Sequence, residues 1–162
     1  NILRYIEKNA LCLALNAQIN SSNIGMHTLE KYNKADFLCI NESEIRHHFR
    51  LRDENLVVLA KRIDHELKLK NVIITSGKGG SNSLNGNDLI NCPAFANKVK
   101  DRVGAGDTLL AVSSLCNYIK MPIELNLFVS NLAAGIMVET IGTSNDDISF
   151  QAIIKNIETL YK

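Results

Sequence analysis

Residues 11–15 (LCLAL) and 35–40 (ADFLCI) are short runs in which apolar positions follow one another with little alternation. That is the pattern of strands buried on both faces of a sheet. A third strand of the same kind is predicted over residues 71–75, built on Val72, Ile73 and Ile74. Between the second and third runs the period changes. Residues 53–69 place Leu56, Ala60, Ile63 and Leu67 on one face and Lys61, Arg62 and Glu66 off it, an amphipathic helix. Ile2, Leu3, Tyr5 and Ile6 read as the end of another helix, and Ser21 or Ser22 caps a short one running through Leu29 and Tyr32. Residues 81–96 read as a β-hairpin, with Leu84 before the turn signal Asn85-Gly86 and Leu89-Ile90 after it. A helix from about Gly106 is expected to carry Ala111, Val112, Leu115 and Ile119 on one stripe. Pro122 then opens a further helix at its favoured first position, with Leu127, Ala134 and Val138 inward. Gly142 breaks the chain, and Ser149 caps a last helix bearing Ile153, Ile157 and Leu160. The order strand, helix, strand, helix, strand, hairpin and three helices predicts an α/β layer fold with a largely parallel sheet flanked by helices.

The composition narrows the function. A chain of 162 residues fits one domain, and 46% hydrophobic with 22% charged residues is ordinary for a globular protein. The apolar runs are too short to span a membrane. A net charge of +1 with the signs intermixed offers no basic face to nucleic acid, so an anionic small molecule must be met by local geometry. Cys12, Cys39, Cys92 and Cys116 lie far apart and read as reduced core residues of a cytoplasmic protein. His47 and His48 would point to opposite sides of a strand or stand 100° apart on a helix, which points to a surface role rather than zinc. The chain opens at Asn1 without an initiator Met or a signal-peptide pattern, as a piece of something longer would.

Candidate chemistry concentrates at strand ends and around glycines. In residues 101–108 (DRVGAGDT), Gly104 and Gly106 let the backbone turn tightly into a helix. The first-turn amides of Ala105, Gly106 and Asp107 can then face an anion. Asp107 either caps that helix or accepts a proton from an attacking hydroxyl, and the turn alone does not choose between them. Asn41 and Glu44, three apart at the end of the second strand, fit either an acid-rich helix start or oxygen ligands of a hydrated Mg²⁺. The loop 75–80 (TSGKGG) follows a strand as phosphate loops do, without the spacing of a Walker loop. Asn16 and Gln18 follow the first strand's carboxyl end, where open α/β sheets bind ligands, although turn roles are commoner for such residues. Asn131, on a mainly apolar stretch, reads as a satisfied core amide or an exposed one.

Residues 101–111 (DRVGAGDTLLA) resemble the second signature, D-T-x-G-A-G-D, of the ribokinase-type (PfkB) carbohydrate kinases, with Arg102 standing where Thr is frequent. Asn41 and Glu44 match that family's N-x-x-E motif, and Thr75, Gly77 and Gly80 its T-x-G-x-x-G nucleotide loop, in the family's order. LNAQINSSNIG and NLAAGIMVETIGTS look most like the heptose 7-phosphate kinase branch. The resemblance implies a layered ribokinase-like, Rossmann-like fold of which residues 1–162 are the carboxyl-terminal, nucleotide-binding and catalytic half. It implies ATP and Mg²⁺ as cofactors and a sugar hydroxyl as acceptor of the γ-phosphoryl group. Asp107 would be the catalytic base, and Gly104, Ala105 and Gly106 the anion hole. Thr75, Gly77 and Gly80, with Lys78 nearby, would hold the nucleotide, and Asn131 would approach the adenine. Asn41 and Glu44 would order magnesium through water, and Asp101 would contact the sugar substrate. The half that is absent would carry most sugar contacts, so this piece is expected to pair with it or self-associate, and to be inactive alone. Two rivals remain: a non-catalytic nucleotide- or phosphate-binding module, and a dinucleotide-dependent oxidoreductase. The second is disfavoured because the glycines follow a hairpin rather than the first strand of a β-α-β unit.

Overall fold

The computed structural model describes residues 2–18, 29–96, 98–101, 103–139 and 149–160. Two compact units divide the chain: Asn1–Ser76 with Asn82–Ile90, and Gly77–Ser81 with Asn91–Lys162.

In the first unit, strands β1 (Ala14–Leu15), β2 (Phe37–Asn41) and β3 (Asn71–Thr75) run parallel, with Phe37 opposite Asn71 and Asn41 opposite Thr75. Strands β4 (Ser81–Asn85) and β5 (Asp88–Cys92) complete a sheet in the order β1-β2-β3-β4-β5, which leaves β1 at an edge. Phe37, Leu38, Cys39 and Ile40 of β2 and Val72, Ile73 and Ile74 of β3 are all buried. These are the continuous apolar runs of strands covered on both faces, each large side chain contributing about 1.5–3 kcal/mol by leaving water. Helices α1 (Ile2–Asn9), α2 (Glu42–Phe49) and α3 (Leu56–Leu67) accompany the sheet. Ile45 of α2 and Leu59, Ala60, Ile63 and Leu67 of α3 join the core.

Several boundaries differ from expectation, each for a local reason. The 11–15 run forms a strand only at Ala14–Leu15, and Leu11 is 86% exposed. The main chain of Leu13 is already bonded to Asp36, through both the Asp36 amide and its carboxylate. The second strand starts at Phe37, because the Ala35 amide goes to the Leu67 carbonyl at the end of α3. Helix α3 starts at Leu56 rather than residue 53, because the Asn55 side chain caps it by accepting from the Val57 amide, and it ends where Lys68 turns left-handed. The hairpin turns on Gly86 and Asn87, one residue later than expected, with Gly86 at a φ of 61°. The histidines separate: His47 is exposed, whereas the His48 ring is tucked against Phe49 and Glu66. A three-residue 3-10 turn, Leu29–Lys31, stands where the short helix was expected; its proposed caps, Ser21 and Ser22, lie outside the described residues.

The second unit holds helices α4 (Ala105–Tyr118), α5 (Ile123–Glu139) and α6 (Phe150–Leu160). The stripe expected for α4 is not the buried one. Leu109, Ser113 and Cys116 are buried, while Leu115 and Ile119 are 67% and 65% exposed. The small Ser113 lets α5 approach closely enough for Asn126 to donate to the Ser113 carbonyl, a contact that a search for apolar stripes passes over. Pro122 precedes α5 rather than opening it, and its carbonyl takes the Asn126 amide. Leu127 is buried as expected, whereas Ala134 and Val138 are half-buried, and most of the helix between is covered. Ser149 caps α6 as expected, accepting from the Ala152 amide. Ile153 and Ile157 are half-buried, but Leu160 is exposed. Gly142 lies outside the described residues. All four cysteines are free.

Asp36 ties the entrances of β1, β2 and β3 together. Its carboxylate accepts from the Leu13 amide and from Lys70 Nζ, at 2.9 and 2.8 Å. The Lys70 ammonium first, and the Leu13 amide after it, hold the carboxyl below its usual 3.8, against the opposing effect of partial burial. A depressed carboxyl stabilises the fold above its free pKa, and that contribution is lost as pH falls through the folded value. Denaturant titrations from neutral pH down to about 3 are therefore expected to show an acid loss of stability that is shallower in Asp36→Asn than in the unaltered chain. An identical acid limb in both would remove Asp36 from this role.

Candidate active site

The carboxyl ends of β2 and β3 are joined by one side chain. Asn41 is both the last residue of β2 and the N-cap of α2. Its Oδ1 accepts from the Ser43 amide and hydroxyl, at 2.9 and 2.7 Å, and its Nδ2 donates to the carbonyl and hydroxyl of Thr75, both at 3.2 Å. Glu44 returns one carboxylate oxygen to the Asn41 amide at 2.9 Å, completing a capping box. Thr75, named apart from the Asn41–Glu44 pair in the sequence, thus meets it in one hydrogen-bonded cluster. Because the Asn41 oxygen is already taken by Ser43, this pair fits a hydrated cation held through water better than one bound directly. Among the described residues no group of three or more His, Cys, Asp or Glu could hold a metal ion.

Sequence reading missed the polar chain beside this cluster. Glu42 Oε1 accepts from Arg46 Nε and Nη2, at 3.1 and 2.9 Å, and Glu42 Oε2 accepts from Ser76 Oγ at 2.8 Å. Arg46, then Ser76, hold the Glu42 carboxyl below the usual carboxylate range. The i,i+4 spacing of Glu42 and Arg46 was a legible signal for half of it.

In the second unit, the loop after β3 passes through Gly77, at φ 56° with open space where a Cβ would stand, and Lys78, which is exposed. Gly80 is different. At φ 82° it lies so close to the main chain of Cys92 and Pro93 that a Cβ would sit 2.0 Å from the Cys92 carbonyl oxygen. Asn131 is 4% exposed, and its Nδ2 donates to the Ser81 hydroxyl and the Leu127 carbonyl. It is therefore a satisfied core amide that supports the end of this loop. Burial raises the pKa of the neighbouring Cys92 thiol, and a hydrogen bond from Asn131 partly opposes the rise.

The glycine turn lies in the same unit. Asp101 Oδ1 accepts from the Val103 amide at 3.0 Å, and the amides of Lys100 and Asp101 bond the Val138 carbonyl, so the segment entering the turn is fixed to α5. Gly104, left-handed at φ 83°, is the N-cap of α4, and no side chain caps the helix. The first turn comprises Ala105, Gly106 and Asp107, with Gly106 and Asp107 exposed. An uncapped helix start with an open glycine presents amide donors and a positive dipole end to an anion. Arg102 lies outside the described residues.

The sequence profile described as "pfkB family carbohydrate kinase" matches residues 3–149. The chain belongs to this family. Two curated relatives carry the name bifunctional protein HldE. The one from Campylobacter fetus is 33% identical over 118 residues, 71% of this chain and 26% of that protein. The one from Methylobacillus flagellatus is 30% identical over 142 residues, 82% of this chain and 29% of that protein. They agree with the resemblance to the heptose branch. Among solved structures, the pfkB chain is similar to Arabidopsis thaliana ribokinase complexed with ribose and ATP, with a TM-score of 0.77 at 21% identity over 97% of this chain and 51% of that one. It is also similar to Escherichia coli phosphofructokinase-2, with a TM-score of 0.75 at 17% identity over 99% of this chain and 51% of that one. These likenesses establish a ribokinase-like fold. The pfkB chain spans under a third of the length of these curated relatives and about half that of these solved structures. Family membership sets aside the oxidoreductase reading.

The two loop glycines should respond differently to a methyl group. Gly77→Ala meets only the left-handed backbone cost, about 1–2 kcal/mol. Gly80→Ala must also displace the Cys92–Pro93 main chain and is expected to cost more than about 3 kcal/mol. Chemical denaturation of both variants measures the difference, and equal losses would contradict the packing described.

Proposed function

We propose that this chain supplies the nucleotide-binding and catalytic part of an ATP-dependent carbohydrate kinase, which transfers the γ-phosphoryl group to a hydroxyl of a sugar or sugar phosphate such as heptose 7-phosphate. The observation that carries the reading is the start of α4: a left-handed Gly104, no side-chain cap, and an exposed Asp107 in the first turn. The amides of Ala105 and Gly106 stabilise charge on the transferred group, and Asp107 takes the acceptor hydroxyl's proton. Gly77, with Lys78 on the same open loop, gives the nucleotide phosphates close access to main chain, while Gly80 and Asn131 hold the loop's far end. Thr75 is fixed by Asn41 at the loop's near end. Magnesium bound with ATP would neutralise phosphate charge, and Glu44 and Asn41 at the α2 cap would hold it through water. Asp101 shapes the turn on the sugar side through its bond to the Val103 amide. Phosphoryl transfer asks for positioning and charge stabilisation rather than covalent help, and these groups provide both.

In the full-length protein that contains this chain, Asp107→Asn removes the proton acceptor and nothing from the core. Turnover is expected to fall by about 10² or more with little change in ATP affinity. A variant with near-normal turnover leaves Asp107 without the role. That variant binding ATP normally while the unaltered protein phosphorylates no member of a sugar panel would instead favour a non-catalytic binding module.

Glu44 separates cap from metal. Gln also completes a capping box, so Glu44→Gln should keep the thermal midpoint while raising the Mg²⁺ concentration needed for half-maximal rate. An unchanged magnesium dependence returns Glu44 to helix capping alone.

A further inference from the structure

We propose that Glu42 and Ser76 are positioning residues for the nucleotide: a carboxylate and hydroxyl tie that fixes the neck of the loop between β3 and β4, with Arg46 cancelling the carboxylate's charge. This rests on the kinase reading above, which makes that loop a phosphate-facing one.

Ser76 is the last residue of the first unit before the chain departs, and Asn82 is where it returns; the five residues Gly77–Ser81 between them belong to the second unit. Asn82 Nδ2 donates to Ser76 Oγ at 3.3 Å, so the two ends of this excursion are stapled to each other. The Ser76 hydroxyl has one proton, and it goes to Glu42 Oε2 at 2.8 Å. That commitment decides the role of Ser76. A serine at the mouth of a phosphate loop would ordinarily be read as a phosphate donor, but this one has no proton left to give. It holds the loop and touches no ligand.

A carboxylate in this place would repel a nucleotide unless its charge were balanced. Arg46 balances it with two charge-assisted bonds that converge on Glu42 Oε1 and leave Oε2 to Ser76. Arg46 is anchored in turn, its Nη1 donating to the carbonyls of Arg52 and Glu54 at 2.8 and 2.7 Å, ahead of α3. The position of Ser76 is thereby referred through Glu42 and Arg46 to the α2–α3 connection.

The test measures binding of the non-hydrolysable analogue adenylyl imidodiphosphate with Mg²⁺ to the full-length protein, in a double-mutant cycle of Ser76→Ala and Glu42→Ala. Ser76→Ala is expected to weaken binding about tenfold while turnover at saturating ATP stays within about twofold. In the Glu42→Ala background the same substitution should change affinity less than about twofold, because the tie is already broken. Ser76→Thr keeps the hydroxyl and should bind like the unaltered protein, which tells loss of the tie from loss of the fold. The same tenfold loss in both backgrounds would mean that Ser76 meets the nucleotide directly and would overturn the proposal, as would full affinity in Ser76→Ala or a loss in Ser76→Thr equal to that in Ser76→Ala. If the unaltered protein binds no analogue, the kinase reading itself fails; if it binds and Ser76→Ala binds equally, only the tie fails.

Discussion

The side chain of Asn41 links three pieces of structure that a strand end would otherwise leave separate. It terminates β2, caps α2 and bridges to Thr75 on β3. Parallel strands pair through slanted backbone bonds that stop at the last rung, and beyond that rung nothing in the sheet sets the direction of the outgoing loops. Here an amide with one acceptor and two donor hydrogens does so, and the Glu44 carboxylate closes the arrangement from the helix side. The loop after β3 therefore leaves from a fixed point, and the polar chain through Glu42, Ser76 and Arg46 extends that fixity one residue further.

The interior strands were legible because burial on both faces demands continuous apolar residues. Val72, Ile73 and Ile74 met that demand, as did the run ending at Ile40. Residues 11–15 met it equally well and still gave only two paired residues, since a run of apolar side chains states what a segment can bury and not what it has to pair with. Helix α3 was legible by period, but its start was decided by Asn55, whose side-chain oxygen satisfies the Val57 amide and so ends the competition among nearby polar residues. For α4 the visible apolar stripe misled, because helices approach most closely through small residues such as Ser113, and smallness leaves no trace in a hydrophobic pattern.

At the candidate site, glycines and caps could be read because they follow from backbone geometry. The glycine turn at Gly104, the glycine loop through Gly77 and the helix start at Asn41–Glu44 lie where the sequence put them, although the capping box itself had not been read. What could not be read was the partner of each polar side chain. Asn131 lies 50 residues from Ser81 and Glu42 lies 34 from Ser76, and no local rule connects such pairs. The burial of Asn131 shows the effect: a position suited to touching a ligand is also suited to holding the residue that borders the loop.

The near-collision at Gly80 also limits the register of the hairpin. Strand β4 is held by β3 on its other side, but β5 is the last strand of the sheet and could in principle pair a residue out of register. A slip one way would drive the Cβ of Ser81 into the Cys92 carbonyl, where only a glycine fits. The close approach acts as a stop against that slip, set at the point where the loop ends.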